Sequence, residues 1–499
     1  MDTLSTHSFF RLSWLEEEQG GGIFGQAMKD STPAPDRRKF LTRAASSAFG
    51  FTFIPAYLTS ARAQNNPNKP PSQRLNVGCV GAGGRGVKVC QDLTRKGNAT
   101  ITAFADVDFQ SARKIADNLK SFPKAKRFTD FREMYEKVGS DFDAVAVCTP
   151  DHTHFTAAIQ AMSLGKHVYV EKPLTHTFEE AEILMRAEKK FKVVTQMGNQ
   201  GHTSGGSEQF KRMVAGGVVD DVVKIDAFKG PGLWFMEAGK RIKEYPKAGK
   251  MPESLKSWDL WCGPRAVKDY HSLLHPFNWR AFHLYGSGML GDWGCHIIDY
   301  VHHYLKLGYP TKITARKLVD HNQVIFPLSS ELDFEFPERG PKLPKVTMAW
   351  KAGPNPGPPV AEKYQADPRK PVRVGGAGTL LHRKQEDYLV QRASHWSTSK
   401  LISKKPHDEL KAAMNTEGPK FDHGEGFVQA CMGNGKTESP FSVGAPLTQV
   451  LTLGVVAEYL NTDLEFDPKT KRFKGNDAAN ALLSGDAPRK DWADHYKLA

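Results

Sequence analysis

Residues 75–86 read LNVGCVGAGGRG, an apolar run from Leu75 to Val80 that passes into Gly81-Ala82-Gly83-Gly84-Arg85-Gly86 and then into a helix-like stretch through Leu93. Glycines at these spacings let the chain turn tightly after a strand and let its backbone approach a pyrophosphate, which the helix N-terminus stabilises. A second strand, Thr100 to Ala105, ends in Asp106, twenty residues after Gly86. An acid is needed there to accept the hydroxyls of an adenosine ribose. Such an acid repels a 2′-phosphate, so the pattern favours NAD over NADP, although Arg113 and Lys114 lie close by in sequence.

The alternation continues with a strand at Asp143–Cys148, a helix at Phe155–Leu164, a strand at His167–Val170, a helix at Phe178–Lys190 and a strand at Val193–Met197. Repeated βα units specify an α/β fold with a doubly wound parallel sheet, whose ligands bind at the carboxyl ends of the strands. Those ends carry Thr149-Pro150-Asp151-His152-Thr153-His154, Glu171-Lys172-Pro173 and Gly198-Asn199-Gln200. These polar residues are candidates for the site.

The chain has 499 residues and a formal charge of +13, from 68 Lys and Arg against 55 Asp and Glu. Without residues 1–63 the excess is still 61 against 49, and residues 360–405 hold ten basic against four acidic side chains. The charge is therefore read as a local surface insertion and not as a nucleic-acid footprint. The six cysteines form no CxxC pair, which excludes a zinc ribbon or disulfide scaffold. No uninterrupted apolar stretch reaches membrane-spanning length, and no membrane anchor is expected.

Residues 1–63 read as an export signal: Arg37-Arg38-Lys39-Phe40-Leu41, an apolar run from Ala44 to Leu58, then Ala61-Arg62-Ala63 as a cleavage site. The paired arginines resemble a twin-arginine signal, which exports folded, cofactor-loaded proteins. A polar linker at 64–73 leads into the nucleotide-binding domain, 74–198, and a second domain, 199–499.

The glycine fingerprint, the TPDHTH run at Thr149–His154, the Glu171-Lys172-Pro173 triplet and Gly291-Asp292-Trp293-Gly294-Cys295-His296 together resemble the Gfo/Idh/MocA oxidoreductases. The resemblance implies a Rossmann domain followed by an α/β domain with an open, mostly antiparallel sheet that often assembles dimers or tetramers. It also implies a nicotinamide cofactor and a carbohydrate-like substrate. The cofactor would be held by Gly81, Gly83, Gly84, Arg85, Gly86, Asp106, Thr149, Pro150, His152, His154, Glu171, Lys172, Asn199 and Gln200. Lys172, Asp292 and His296 would be catalytic.

Oxidising a secondary alcohol needs a base for the hydroxyl proton and a cation for the developing alkoxide. His296 is the expected base, Lys172 the cation and Asp292 the group that orients the imidazole or binds an adjacent hydroxyl. Asp292, His296, Asp299 and His303 fall at helical spacing on one face, so Asp299 is expected to reach the substrate. That stripe also suits a divalent metal, but the resemblance accounts for two of its members without one, and no metal is assigned. Aromatic residues crowd 234–293, where Trp234, Trp258, Trp261, Trp279 and Trp293 fall near Arg280. Sugars pack their C–H faces on such rings, so Trp279, Arg280 and Trp293 are expected to bind substrate. Gly375-Gly376-Ala377-Gly378 reads as a sheet turn, and Thr448–Leu460 as a helix.

The sequence thus points to an exported oxidoreductase cycling a bound NAD on a sugar hydroxyl. A redox-neutral glycosidase and a catalytically silent sugar-binding protein are the alternatives.

Overall fold

The computed structural model describes residues 73–110, 114–232, 242–341, 343–367, 369–416 and 421–499. The export signal, Arg113 and Trp234 lie outside the described residues.

β1 (Leu75–Val80), β2 (Ala99–Ala105), β3 (Lys126–Phe128), β4 (Ala144–Val147), β5 (His167–Val170) and β6 (Thr195–Met197) form a six-stranded sheet in the order β3-β2-β1-β4-β5-β6. Every pairing is parallel. β4 is buried along its whole length, as a strand covered on both faces must be. α1 (Arg85–Thr94) covers one face, while α3 (Phe131–Val138), α4 (Asp151–Ser163) and α5 (Phe178–Phe191) supply the core on the other. Short α2 (Ile115–Ser121) lies between β2 and β3 in sequence. α5 opens with a capping box: Thr177 accepts from the Glu180 N–H, and Glu180 reaches back to the Thr177 N–H.

α6 (Gly205–Ala215) leads to β7 (Val222–Lys229), the start of a second sheet. Short α7 (Trp258–Cys262), α8 (Gly288–Ile297) and α9 (Asp299–Tyr304) precede β8 (Lys312–Val319), β9 (Ser329–Phe336) and β10 (Val346–Ala352). β11 (Ala377–Arg383), β12 (Leu389–Arg392) and β13 (Ser399–Ile402) follow, then α10 (His423–Cys431), α11 (Phe441–Leu460), β14 (Leu464–Asp467), β15 (Arg472–Phe473) and α12 (Asp477–Ser484). The nine strands run β13-β12-β11-β7-β10-β9-β8-β14-β15 and are antiparallel except for β7 with β10. β9 alternates half-exposed and buried residues, the mark of a sheet with one packed face.

Three expectations change. Residues 360–405 are not a surface insertion: they supply β11 to β13, and β11 pairs directly with β7. Gly378 lies inside β11 and not in a turn; a Cβ there would stand 2.2 Å from the Arg392 carbonyl oxygen, so the strand needs glycine for close approach. α11 begins at Phe441, not Thr448, with Pro446 within it. It is long and apolar enough to cross a bilayer, yet 72% of its most apolar window is buried, and it packs on α5 and α8 as a core helix. Phe427, Val428 and Cys431 of α10 pack into the core of the nucleotide domain.

Candidate active site

The glycine loop leaves room where a dinucleotide needs it. A Cβ on Gly86 would stand 2.0 Å from the Gly81 carbonyl oxygen, and Gly81 itself has φ +84° with a Cβ position 2.7 Å from the Cys148 carbonyl carbon. Backbone therefore fills this corner and side chains cannot. No side chain caps the N-terminus of α1, although its Gly86 N–H is taken by the Gly83 carbonyl oxygen at 2.9 Å. Asp106 Oδ2 accepts the Ala82 N–H at 2.8 Å and the Gly83 N–H at 3.3 Å, while Oδ1 accepts the Asp108 N–H at 3.0 Å. Burial pushes its pKa up to about 6 against those hydrogen bonds. Asp106 thus ties the loop to β2, and Lys114 lines the cleft beside the loop.

A cleft of about 420 Å³ runs from this loop to the second domain, lined by Gly81, Gly83, Gly84, Arg85, Thr149, Pro150, His154, Glu171 and Lys172 on one wall and by Trp279, Arg280 and Asp292 on the other. Lys172 Nζ donates to the Asp292 carbonyl oxygen at 2.9 Å and to its Oδ1 at 2.5 Å. Burial raises the Asp292 pKa, but Lys172, Arg280 and Lys229 outweigh it and hold the carboxyl below its ordinary range. The lysine's loop is braced from three sides. Glu171 accepts from Arg85 Nε and from Gln200 Nε2, both at 2.9 Å. The two ring nitrogens of His154 each lie 2.8 Å from a carbonyl oxygen, of Pro173 and of Thr149. Asp151, which the sequence reading quoted without assigning, also lines the cleft, accepting the Ser287 N–H at 3.1 Å; burial raises its pKa.

Other expected residues stand elsewhere. His296 does not line this cleft and does not bond to Asp292, whose carboxylate faces Lys172. Its ring stacks on His395 with centroids 4.3 Å apart and meets Trp293 edge-on at 5.8 Å. Its Nδ1 is buried with no hydrogen-bond partner among the described residues. Burial, then Lys172, His395 and Arg85, push its pKa well below the usual histidine value. Asp299 is a correction: it sits 3.0 Å from buried His202, away from the cleft. The helix expected to carry the Asp/His stripe unbroken divides at Ile298 into α8 and α9, and the stripe divides with it. Among the described residues no cluster of His, Cys, Asp and Glu is arranged to hold a metal ion.

His152 is also a core residue. Its ring nitrogens face the Trp261 and Tyr285 carbonyl oxygens at 2.7 and 3.2 Å, and burial pushes its pKa down to about 3. Asn199 is buried with its amide unpartnered among the described residues and does not line the cleft, while Gln200 donates to Glu171 and to the Tyr169 hydroxyl, both at 2.9 Å. Trp293 carries the Lys229 ammonium 4.4 Å from its ring centre. Of the aromatic cluster, Trp261, Phe277 and Trp279 reach the cleft, whereas Trp258 stacks on Trp261.

Sequence reading missed His395. It belongs to the segment taken as an insertion, and it arrives by a docked arm: Arg392 Nη2 donates to the His395 carbonyl oxygen at 2.8 Å and to Ser204 and Ser207 Oγ at 3.2 Å. Gly201 permits the approach, since a Cβ there would lie 2.6 Å from that of His395. The only advance signal was the pair of glycines in Gly201–Gly206, whose purpose depends on a partner nearly 200 residues away.

A dinucleotide loop facing a buried Lys–Asp pair across a cleft defines a nicotinamide-dependent oxidoreductase. Comparison with known proteins agrees. Residues 75–199 match the Gfo/Idh/MocA "Oxidoreductase family, NAD-binding Rossmann fold" and residues 205–325 match its "C-terminal alpha/beta domain". The chain belongs to this family, and NAD is its cofactor, fitted by the glycine corner and by the N-terminus of α1, which no side chain caps. A "Glycosyl hydrolase family 109 protein" of Shewanella pealeana is 31% identical over 181 residues, 33% of this chain and 39% of the relative. A 4-carboxy-2-hydroxymuconate-6-semialdehyde dehydrogenase of Sphingobium is 29% identical over 25% of this chain and 38% of its own length. The chain thus spans well under half of these curated relatives. The WlbA dehydrogenase of Bordetella pertussis, solved with NADH and UDP-GlcNAcA, shares the fold with a TM-score of 0.52 at 12% identity, covering 79% of this chain and 98% of that one.

Proposed function

We propose that this oxidoreductase removes hydride from the carbon bearing a secondary hydroxyl of a sugar or sugar derivative, with its NAD retained between turnovers and reoxidised by passing that hydride to the carbonyl of a second sugar substrate. The observation that carries the reading is the Lys172–Asp292 pair, held in the cleft that the glycine loop opens. Bound NAD supplies a hydride acceptor; the chain supplies the rest. Lys172, fixed by Asp292, donates to the reacting oxygen and stabilises it as an alkoxide. His296, held neutral and with an unused Nδ1, stands outside the cleft lining one helical turn from Asp292 and is assigned the hydroxyl proton through an intervening water. Trp279 offers an apolar face to the ring.

The twin-arginine reading of Arg37-Arg38 completes the proposal: the protein is exported folded and loaded, then works where no soluble NAD pool exists. The open face of the second sheet is the surface proposed for a homodimer or tetramer.

A second reading is favoured by the glycosidase relatives. Oxidation to a ketone acidifies the neighbouring C–H, the glycosidic bond breaks by elimination, water adds to the resulting double bond, and the ketone takes back the hydride. Nitrophenyl glycosides and free sugars, offered to the NAD-loaded protein, separate the two. Accumulating ketosugar supports net oxidation, nitrophenol release without ketosugar supports the glycosidase, and neither product from any sugar refutes both.

A further inference from the structure

The cleft contains more positive charge than alcohol oxidation needs. Arg85 is paired with Glu171 at 2.9 Å, Lys172 with Asp292, and Asp151 accepts the first N–H before α8. Away from the glycine loop, two cations are left without an ion pair among the described residues. Arg280 lines the cleft with its guanidinium over Trp279, 4.3 Å from the ring centre and 4.9 Å from that of Phe277. Its single hydrogen bond is from Nη1 to the Phe277 carbonyl oxygen at 3.3 Å, so most of its donor fork is unused. Lys229, at the end of β7, stands over Trp293 and donates only to the Gly230 carbonyl oxygen at 3.1 Å. Both act on Asp292, helping to hold its carboxyl ionised, and Lys229 is itself partly desolvated.

Lys172, Arg280 and Lys229 therefore act on Asp292, and Arg280 on Asp151 as well, at the place where the substrate is proposed to sit. An anionic group on the substrate would give the two unpaired cations a partner. Arg85 and Lys114 stand at the glycine-loop end, where cofactor phosphates belong, so Arg280 and Lys229 are not needed there. A guanidinium resting over an indole with most of its N–H donors unused can receive an oxyanion in two parallel hydrogen bonds.

We propose that the substrate is an acidic sugar, whose carboxylate or ester sulfate is received by Arg280 with Lys229 reinforcing it. This deepens the reading that the cleft oxidises a sugar hydroxyl and rests on it. It limits the natural substrate to uronates or sulfated sugars and excludes neutral hexoses as the preferred ones.

The test compares glucose, glucuronate and glucose 6-sulfate on the NAD-loaded full-length protein. The expected kcat/KM for at least one acidic sugar is ten or more times that for glucose at low ionic strength, with the advantage shrinking as salt is added. Preference for glucuronate assigns a carboxylate, and preference for the sulfate ester assigns sulfate. Arg280→Gln is expected to bring the acidic-to-neutral ratio to about one, and Lys229→Gln to lower it partially. Equal turnover of glucose and both acidic sugars by the wild type overturns the proposal, as does loss of NADH binding in Arg280→Gln, which would assign that residue to the cofactor. Should no sugar be oxidised, the function reading fails on its own. Calorimetry of glucuronate and glucose 6-sulfate binding to the NAD-loaded protein then decides the inference: salt-sensitive binding lost in Arg280→Gln sustains it, and no binding overturns it.

Discussion

The two walls of the cleft are built on different principles. The nucleotide-domain wall is local: Gly81–Gly86, Thr149, Pro150, Glu171 and Lys172 each sit at or just beyond the carboxyl end of a parallel strand, fixed by sheet topology. The opposite wall is assembled from separate parts of the chain, Trp279 and Arg280 before α8 and Asp292 within it, backed by Lys229 at the end of β7, which acts on Asp292, and by the His395 arm after β12, which stacks on His296. The first wall recognises a ligand common to many enzymes; the second sets the chemistry and substrate of this one. Damage to the two walls should therefore separate catalysis from cofactor binding.

The largest separation is expected at His296. His296→Asn should lower kcat about 10³-fold, within the span of general-base contributions, while NADH binding measured by fluorescence stays at the wild-type level. The same residue sets the pH profile. Its imidazole is disfavoured as a cation by burial, Lys172, His395 and Arg85, so it stays a competent base until the pH is well below 6.5. The acid limb of kcat/KM should lie below that value; an acid limb at 7 would remove His296 from the role. Gly86→Ala should do the reverse. Its Cβ has no room beside Gly81, and the displaced loop should weaken NADH binding about 10²-fold. Retained sugar binding in this variant, followed by calorimetry, would confirm that the walls act separately.

This contrast also explains what the sequence disclosed. Strand, turn and helix signals of the first domain lie within a few residues of one another, so five of the six parallel strands, the glycine loop and the Lys172 loop were legible from local pattern, whereas the three-residue edge strand β3 was too short to show one. Asp292 was legible through a motif. Asp299 was misplaced because helical periodicity assumes an unbroken helix, and the chain divides at Ile298. His152 looked like a ligand-binding residue because it borders the strand end, but it is buried against two carbonyl oxygens from the other domain. The 360–405 segment was read from charge, whereas its apolar residues Leu380, Leu381, Leu389 and Val390 are buried in the second sheet. Pairing partners in a mixed sheet lie far apart in sequence, and no local signal names them.

The second domain also buries a carboxyl in its core helix. Glu458 is 4% exposed, and burial raises its pKa to about 7. A carboxyl near 4.5 in the unfolded chain releases its proton first there, so the native protein loses stability as pH rises from about 4.5 to 7, by about 3 kcal/mol in all. Glu458→Gln should flatten that slope in denaturant midpoints measured at pH 5 and pH 8. A slope unchanged in the variant would place its origin elsewhere. The smallest effect is expected at Arg392. Arg392→Met frees the His395 arm, re-exposes His296 to water and should move the acid limb up toward 6.5, with kcat at its plateau changing less than about tenfold. An unmoved limb would mean that the arm does not tune His296.

The central claim, that Lys172 on one wall and Asp292 on the other act together on an alcohol beside bound NAD, is tested most directly by a single-turnover measurement. NAD-loaded wild type and Lys172→Ala are mixed with saturating substrate, and the absorbance of reduced nicotinamide is followed. The account predicts a rapid rise in the wild type and a rise about 10³-fold slower in the folded, NAD-binding variant. A variant that reduces its NAD as fast as the wild type would contradict it.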